Sequence, residues 1–167
     1  MNEITFDLTK ITAREIAPYL TDMAKGHMSW MLDIMPLVVT ACPWGEPANP
    51  ETYDLPLFSE QAKLLFGAFQ KAVLEVPERI TFASFNLQEI KAKDFDTLVD
   101  QVNGTKPDVI AGLLAKYVKA CPEVKTVTDT EAYLALPYYT QFRVLAKKLS
   151  GAGRDQLENF LKQSADK

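Results

Sequence analysis

Phe6-Asp7-Leu8-Thr9-Lys10-Ile11-Thr12-Ala13-Arg14-Glu15-Ile16 returns 79 residues later as Phe85-Asn86-Leu87-Gln88-Glu89-Ile90-Lys91-Ala92-Lys93-Asp94-Phe95. The same offset joins Ala41-Cys42-Pro43 to Ala120-Cys121-Pro122 without a gap. Across residues 6–43, eight of 38 positions are identical, against roughly two expected by chance. Apolar positions agree as well, among them Ile16 with Phe95, Leu20 with Val99 and Ile34 with Leu113. The chain therefore reads as two tandem copies of one unit, residues 1–79 and 80–167. Only Glu75 to Arg79 separates them, short enough for both to pack as one domain.

Each unit reads as three helices behind a short extended arm. The β-branched stretch 3–11 and the later Ile80-Thr81-Phe82 are the arms, and the two could pair as a ribbon. Thr12 and Glu15 have the spacing of a capping box, so the first helix is predicted over about 13–24, with a kink at Pro18 and an end at Lys25-Gly26. Trp30, Met31, Ile34, Met35 and Val38 form the stripe of a second helix that stops before Pro43. Five prolines and glycines from Pro43 to Pro56 predict a long loop over Cys42 to Pro56, and a third helix follows over about 57–75. The second copy repeats the plan: a helix over about 93–103 ending at Asn103-Gly104, a helix started by Pro107, a loop over 122–136 and a helix over about 137–149. Ser150-Gly151-Ala152-Gly153 is read as a break before a last helix from Asp155 to Gln163. The expected fold is all-α or mainly α: two tandem three-helix units, each with an arm, plus a C-terminal helix.

Composition narrows the function. With 47% hydrophobic and 24% charged residues, 167 residues suffice for a globular core. The longest apolar stretch, Trp30 to Cys42, contains Asp33 and Pro36, so no membrane span is expected. The start Met-Asn-Glu lacks a basic, then apolar leader, and two cysteines make no disulfide framework; a cytoplasmic protein is expected, in host cytoplasm if viral. Residues 1–79 hold 6 Lys/Arg and 11 Asp/Glu, residues 80–167 hold 12 and 11. Neither half is basic enough to make nucleic acid the expected partner, and Arg143, Lys147, Lys148 and Arg154 read as a solvated helix face.

No catalytic or metal-binding constellation emerges, and no cofactor is expected. His27, the one histidine, reads as a solvated turn residue. Cys42 and Cys121 have no zinc spacing and read as small buried side chains; an inter-repeat disulfide would need an oxidant. Asp94, Asp96 and Asp100 do not converge on one point of a helix, and the seven glycines form no phosphate cradle. The aromatic residues of the proline-rich loops are the candidate partner-binding residues: Trp44, Tyr53 and Phe58 in the first copy, Tyr133, Tyr138 and Tyr139 in the second. The competing reading is that each loop folds back and caps its own helical hairpin with those rings.

The opening Phe6 to Ile16, the loop Pro43-Trp44-Gly45-Glu46-Pro47-Ala48-Asn49-Pro50-Glu51-Thr52-Tyr53 and Leu55-Pro56 together resemble the tail assembly chaperones of long-tailed bacteriophages. The resemblance implies a small, mostly helical, non-enzymatic protein that holds the tape-measure protein during tail building and then leaves. It carries no catalytic residues over. The second copy departs from it, having Glu123-Val124-Lys125-Thr126 where the first has Trp-Gly-x-Pro. A second class is a self-associating structural or adaptor protein of a virion or scaffold, a homo-oligomer. A third is a small enzyme with Cys42 or Cys121 as nucleophile.

Overall fold

The computed structural model describes residues 3–101 and 106–165 and is mainly helical. The capping box forms as predicted. Thr12 Oγ1 accepts the Glu15 amide at 3.3 Å, and Glu15 Oε2 accepts the Thr12 amide at 2.8 Å, starting helix α1 (Ala13–Ile16). Pro18, which has no amide to donate, tightens the chain into a 3-10 turn at Ala17–Tyr19 before α2 (Leu20–Ala24). Gly26 then ends the segment at a φ of 77°, the left-handed geometry that glycine adopts without strain.

The two arms do not pair with each other. Strand β1 (Thr5–Phe6) pairs antiparallel with β2 (Val39–Ala41), the continuation of helix α3 (Met31–Val38). Further on, β3 (Ser84–Phe85) pairs with β4 (Val118–Ala120), the continuation of α6 (Pro107–Tyr117). Each arm meets a β-branched segment, Val39-Thr40 or Val118, that its own half delivers alongside it. The second strand is Ser84–Phe85 rather than Ile80-Thr81-Phe82. Thr5 faces Ala41 and Ser84 faces Ala120, so the two registers lie 79 residues apart. The Asp7 amide reaches the Val38 carbonyl at 2.7 Å, and the Asn86 amide reaches that of Tyr117 at 2.8 Å, by the same offset.

Helix α4 spans Glu60–Glu75, later than expected because Ser59 caps it by accepting the Ala62 amide at 3.0 Å. Helix α5 is Ala92–Gln101; its expected end at Asn103-Gly104 lies outside the described residues. The loop over 122–136 contains a helix that the sequence reading missed, α7 (Thr130–Leu134). The largest correction is at the C-terminus. After a π-helical turn at Tyr138–Phe142, one helix α8 runs unbroken over Arg143–Ala165, through Ser150-Gly151-Ala152-Gly153. Gly153 is buried there, and a Cβ on it would stand 2.8 Å from the Phe95 ring. The small residues let α8 press against α5; they do not stop the helix.

One apolar cluster runs through both halves, with Ile11, Ile16, Ile34, Met35 and Leu65 from the first and Leu98, Ile110, Leu114, Tyr117 and Leu145 from the second fully buried. Each such side chain contributes about 1.5–3 kcal/mol by leaving water. The halves are joined at the backbone too. The Ala13 amide donates to the Leu136 carbonyl at 3.0 Å, the Tyr138 amide to the Ile11 carbonyl at 2.9 Å, and Thr12 bridges Pro137. An Arg14–Glu131 ion pair flanks this seam.

Candidate functional site

Helix α4 carries accessible apolar surface beside two grooves. Its sequence buries a narrow stripe, Ala62, Leu65 and Phe69, at spacings of three and four. Phe69 is the anchor. Its ring lies 5.7 Å from Phe6, 5.5 Å from Trp30 and 6.1 Å from Tyr139, tying the arm, α3 and the π turn to one helix. Apolar residues on either side of the stripe stay uncovered. Leu64 is 60% exposed and Leu74 is 85% exposed.

Two grooves flank that ridge. One, about 620 Å³, lies between α2, α4 and the π turn, and takes its walls from Met23, Met28, Trp30, Phe66, Val73 and Tyr139. Arg143 closes one side, its guanidinium 5.5 Å from the Tyr139 ring centre and 5.9 Å from that of Tyr138. The other groove, about 710 Å³, lies between α4 and the N-terminal arm, walled by Ile4, Phe6, Trp44, Leu64 and Ala68. The methionines of the first groove adapt to apolar side chains of varied shape.

The six aromatic residues singled out from the sequence are not gathered in one place. Tyr53 and Tyr133 are buried pegs. Tyr53 donates its hydroxyl to the Pro47 carbonyl and Tyr133 donates to that of Val127, both at 2.6 Å. Burial pushes the Tyr53 phenol up to about 12 and the Tyr133 phenol up further, so both stay protonated donors. Each pins its loop onto its own half, so neither reaches a partner in this conformation. Tyr138 and Tyr139 are buried as well, Tyr138 pushed up to about 12 by burial, and they reach solvent only as part of the first groove. Trp44 is half-buried in the second groove and donates to the Thr52 carbonyl at 3.3 Å. Gly45 beside it lets the loop close, since a Cβ there would stand 2.6 Å from Thr52. Phe58 alone is free, at 86% exposure. The sequence reading missed Leu64, Leu74 and the methionines. Apolar residues in α4 beyond one helical stripe were the signal for the two leucines.

Of the reactive side chains, His27 lines the first groove, and Cys42 and Cys121 lie outside both. Cys42 and Cys121 are both free thiols. Burial, then the hydrogen bond donated to Glu123 at 3.1 Å, pushes the Cys121 thiol up to about 11, the opposite of what a nucleophile needs. His27 is exposed and pairs with Asp22 at 3.1 Å. Among the described residues no group of three or more His, Cys, Asp or Glu could hold a metal ion, and no helix is long and apolar enough to cross a membrane. Comparison with family models, with curated proteins and with solved structures finds no match.

Proposed function

We propose that the protein is a non-enzymatic holder of another polypeptide, an assembly chaperone of the kind its resemblance to phage tail assembly chaperones implies. Its client would be an apolar helical or unfolded segment, such as part of a tape-measure protein, bound in the cytoplasm. The observation that carries this reading is α4: an apolar ridge with uncovered leucines on both flanks and a groove along each side. An amphipathic client helix laid along α4 would cover those leucines and place its own apolar residues among Met23, Met28 and Phe66. Both grooves face solvent along α4, so the client needs no gate to enter or to leave. The alternative role is that of a self-associating structural or adaptor protein. The exposed Leu57-Phe58 corner favours it, because that corner lies outside both α4 grooves.

Tagged protein and a Leu64→Asp/Leu74→Asp variant, expressed in the native source, test the proposal by what each captures. A long helical protein retained by the unaltered chain and lost from the variant supports it, provided both melt alike. Retention of the same partner by both, or recovery of nothing but the chain itself, sinks it. Deleting the loop 43–56 is the wrong experiment, since Tyr53 is part of the core.

A further inference from the structure

Within the chain, the seam between the halves is a short antiparallel pairing of Ile11-Thr12-Ala13 with Leu136-Pro137-Tyr138, flanked by Arg14 and Glu131. Both sides of that seam have counterparts elsewhere in the chain. Ile90-Lys91-Ala92-Lys93 stands 79 residues after Ile11-Thr12-Ala13-Arg14. Leu55-Pro56-Leu57-Phe58 matches Leu136-Pro137-Tyr138-Tyr139, and Glu51 matches Glu131 in the capped turn that precedes it: Asn49 and Asp129 each accept the amide two residues on.

The original surfaces are covered, and the counterparts are not. Ile11, Ala13, Leu136, Tyr138 and Tyr139 are all buried. Lys91, Ala92 and Lys93 are exposed, Leu57 is 54% exposed and Phe58 is 86% exposed. The four backbone groups equivalent to those bonded in the seam, the Leu55 carbonyl, the Leu57 amide, the Ile90 carbonyl and the Ala92 amide, have no hydrogen-bond partner among the described residues. Beside Ile90 and Ala92, a groove of about 360 Å³ opens between α5 and the end of α8, with Phe95, Leu157 and Phe160 in its walls. The charges match as well. Lys93 replaces Arg14 and Glu51 replaces Glu131, so the ion pair of the seam would re-form with the same signs.

We infer that a second copy of the chain docks here head to tail: Leu55 to Phe58 of one copy pairs with Ile90 to Lys93 of the next, repeating the internal seam. Phe58 enters the α5–α8 groove, and Glu51 meets Lys93. The contact joins two different faces, so it propagates to a ring or an open filament and does not stop at a two-fold dimer. It uses none of Leu64, Leu74 or Met23, so it stands or falls separately from client binding.

The test uses the purified full chain in sedimentation and light-scattering measurements up to about 0.1 mM, above the range of micromolar contacts. The expected result is a mass that rises with concentration from 18.7 kDa. Phe58→Asp and Ala92→Asp each weaken association at least about tenfold, so at the concentration where half of the wild-type chain is assembled each variant alone is mostly monomer. Mixed together they form a dimer and nothing larger, since each retains the face the other lacks. Lys93→Glu and Glu51→Lys each weaken assembly, and the double swap restores it. Melting curves check folding, which these exposed substitutions leave intact. A wild-type chain that stays monomeric throughout overturns the proposal. So does a wild-type chain that assembles while the mixed variants do not, which would mark a two-fold contact, or a charge swap that fails to rescue.

Discussion

Replacing Gly151 and Gly153 by alanine, one at a time, separates helix propensity from packing within a single turn of α8. In a helix interior alanine is favoured over glycine by about 0.8–1 kcal/mol. At Gly151 an added Cβ meets nothing within 4 Å, so Gly151→Ala should gain that amount in full. At Gly153 the same Cβ would stand 2.8 Å from Phe95 Cε2, 3.0 Å from Cδ2 and 3.8 Å from Ile90 Cδ1. Carbon atoms pack at about 3.5–4.0 Å, so the half-buried Phe95 ring must move by up to about 1 Å. Overpacking of this kind costs about 1–3 kcal/mol. Set against the propensity gain, Gly153→Ala should range from neutral to about 2 kcal/mol destabilising.

The two variants should therefore differ by about 1–3 kcal/mol. For a chain of this length that is roughly 2–12 °C in Tm, readable by far-UV circular dichroism with urea titration beside it. A Phe95→Leu background should remove most of the Gly153→Ala penalty and leave the Gly151→Ala gain alone, a coupling that a double-mutant cycle isolates. Equal gains at both positions would refute the close approach of α8 to α5. The absence of a gain at Gly151 would refute the unbroken helix, because alanine at a true chain break has no propensity to contribute.

Tyr53→Phe and Tyr133→Phe each remove a buried hydroxyl that holds a loop carbonyl, and should each cost about 1–2 kcal/mol in urea unfolding; a neutral result at both would mean the loops are not pinned by these bonds. In the folded protein Cys121 should resist a thiol reagent at neutral pH, with its rate rising about tenfold per pH unit toward the value of about 11, while the half-buried Cys42 is modified first; equal rates would count against the burial. Asp94 accepts from Lys116 and from the Tyr117 hydroxyl, which hold its carboxyl below the ordinary value of 3.8. A depressed folded-state value means that the stabilisation is complete above that ordinary value and is lost as the pH falls through the depressed one. Asp94→Asn should therefore cost about 1 kcal/mol at pH 7, shrinking in acid; a cost that persists undiminished at low pH would assign the effect to packing.

What the sequence made legible was local. The capping box, the proline that opens α6, the helix end at Gly26 and the loop from Cys42 to Pro56, within which the structure adds a 3-10 turn at Pro50–Tyr53, all depend on residues near each other in the chain. Strand partners were out of reach, because the choice between the other arm and the end of a nearby helix is decided by where the helices deliver the chain. The glycines of α8 misled for the same reason. A Gly-x-Gly pair reads as a break unless an aromatic ring on another helix requires the missing Cβ. The tyrosines did carry a usable signal. Tyr53 and Tyr133 occupy matching places in the two loops, six residues after the carbonyls they hold, and a residue repeated in both halves points to shared packing.

The two halves show why burial could not be read from residue type. Thr12 gives its helix a capping box; Lys91, at the matching place, cannot, and its amide donates to the Tyr117 hydroxyl at 3.3 Å. Tyr117 stands where the first half has Val38, so one lost acceptor is replaced by another delivered from a neighbouring helix. The same logic holds at the surface with the outcome reversed. Tyr138 and Tyr139 follow Leu-Pro and are covered by the first half; Leu57 and Phe58 follow Leu-Pro and meet solvent, because no described segment lies over them as the first half lies over the tyrosines. An aromatic residue at such a corner is core or contact according to what lies opposite. Phe58 has the highest fractional exposure of the large apolar side chains among the described residues, so a neighbouring molecule laid on that corner would turn it from surface into core.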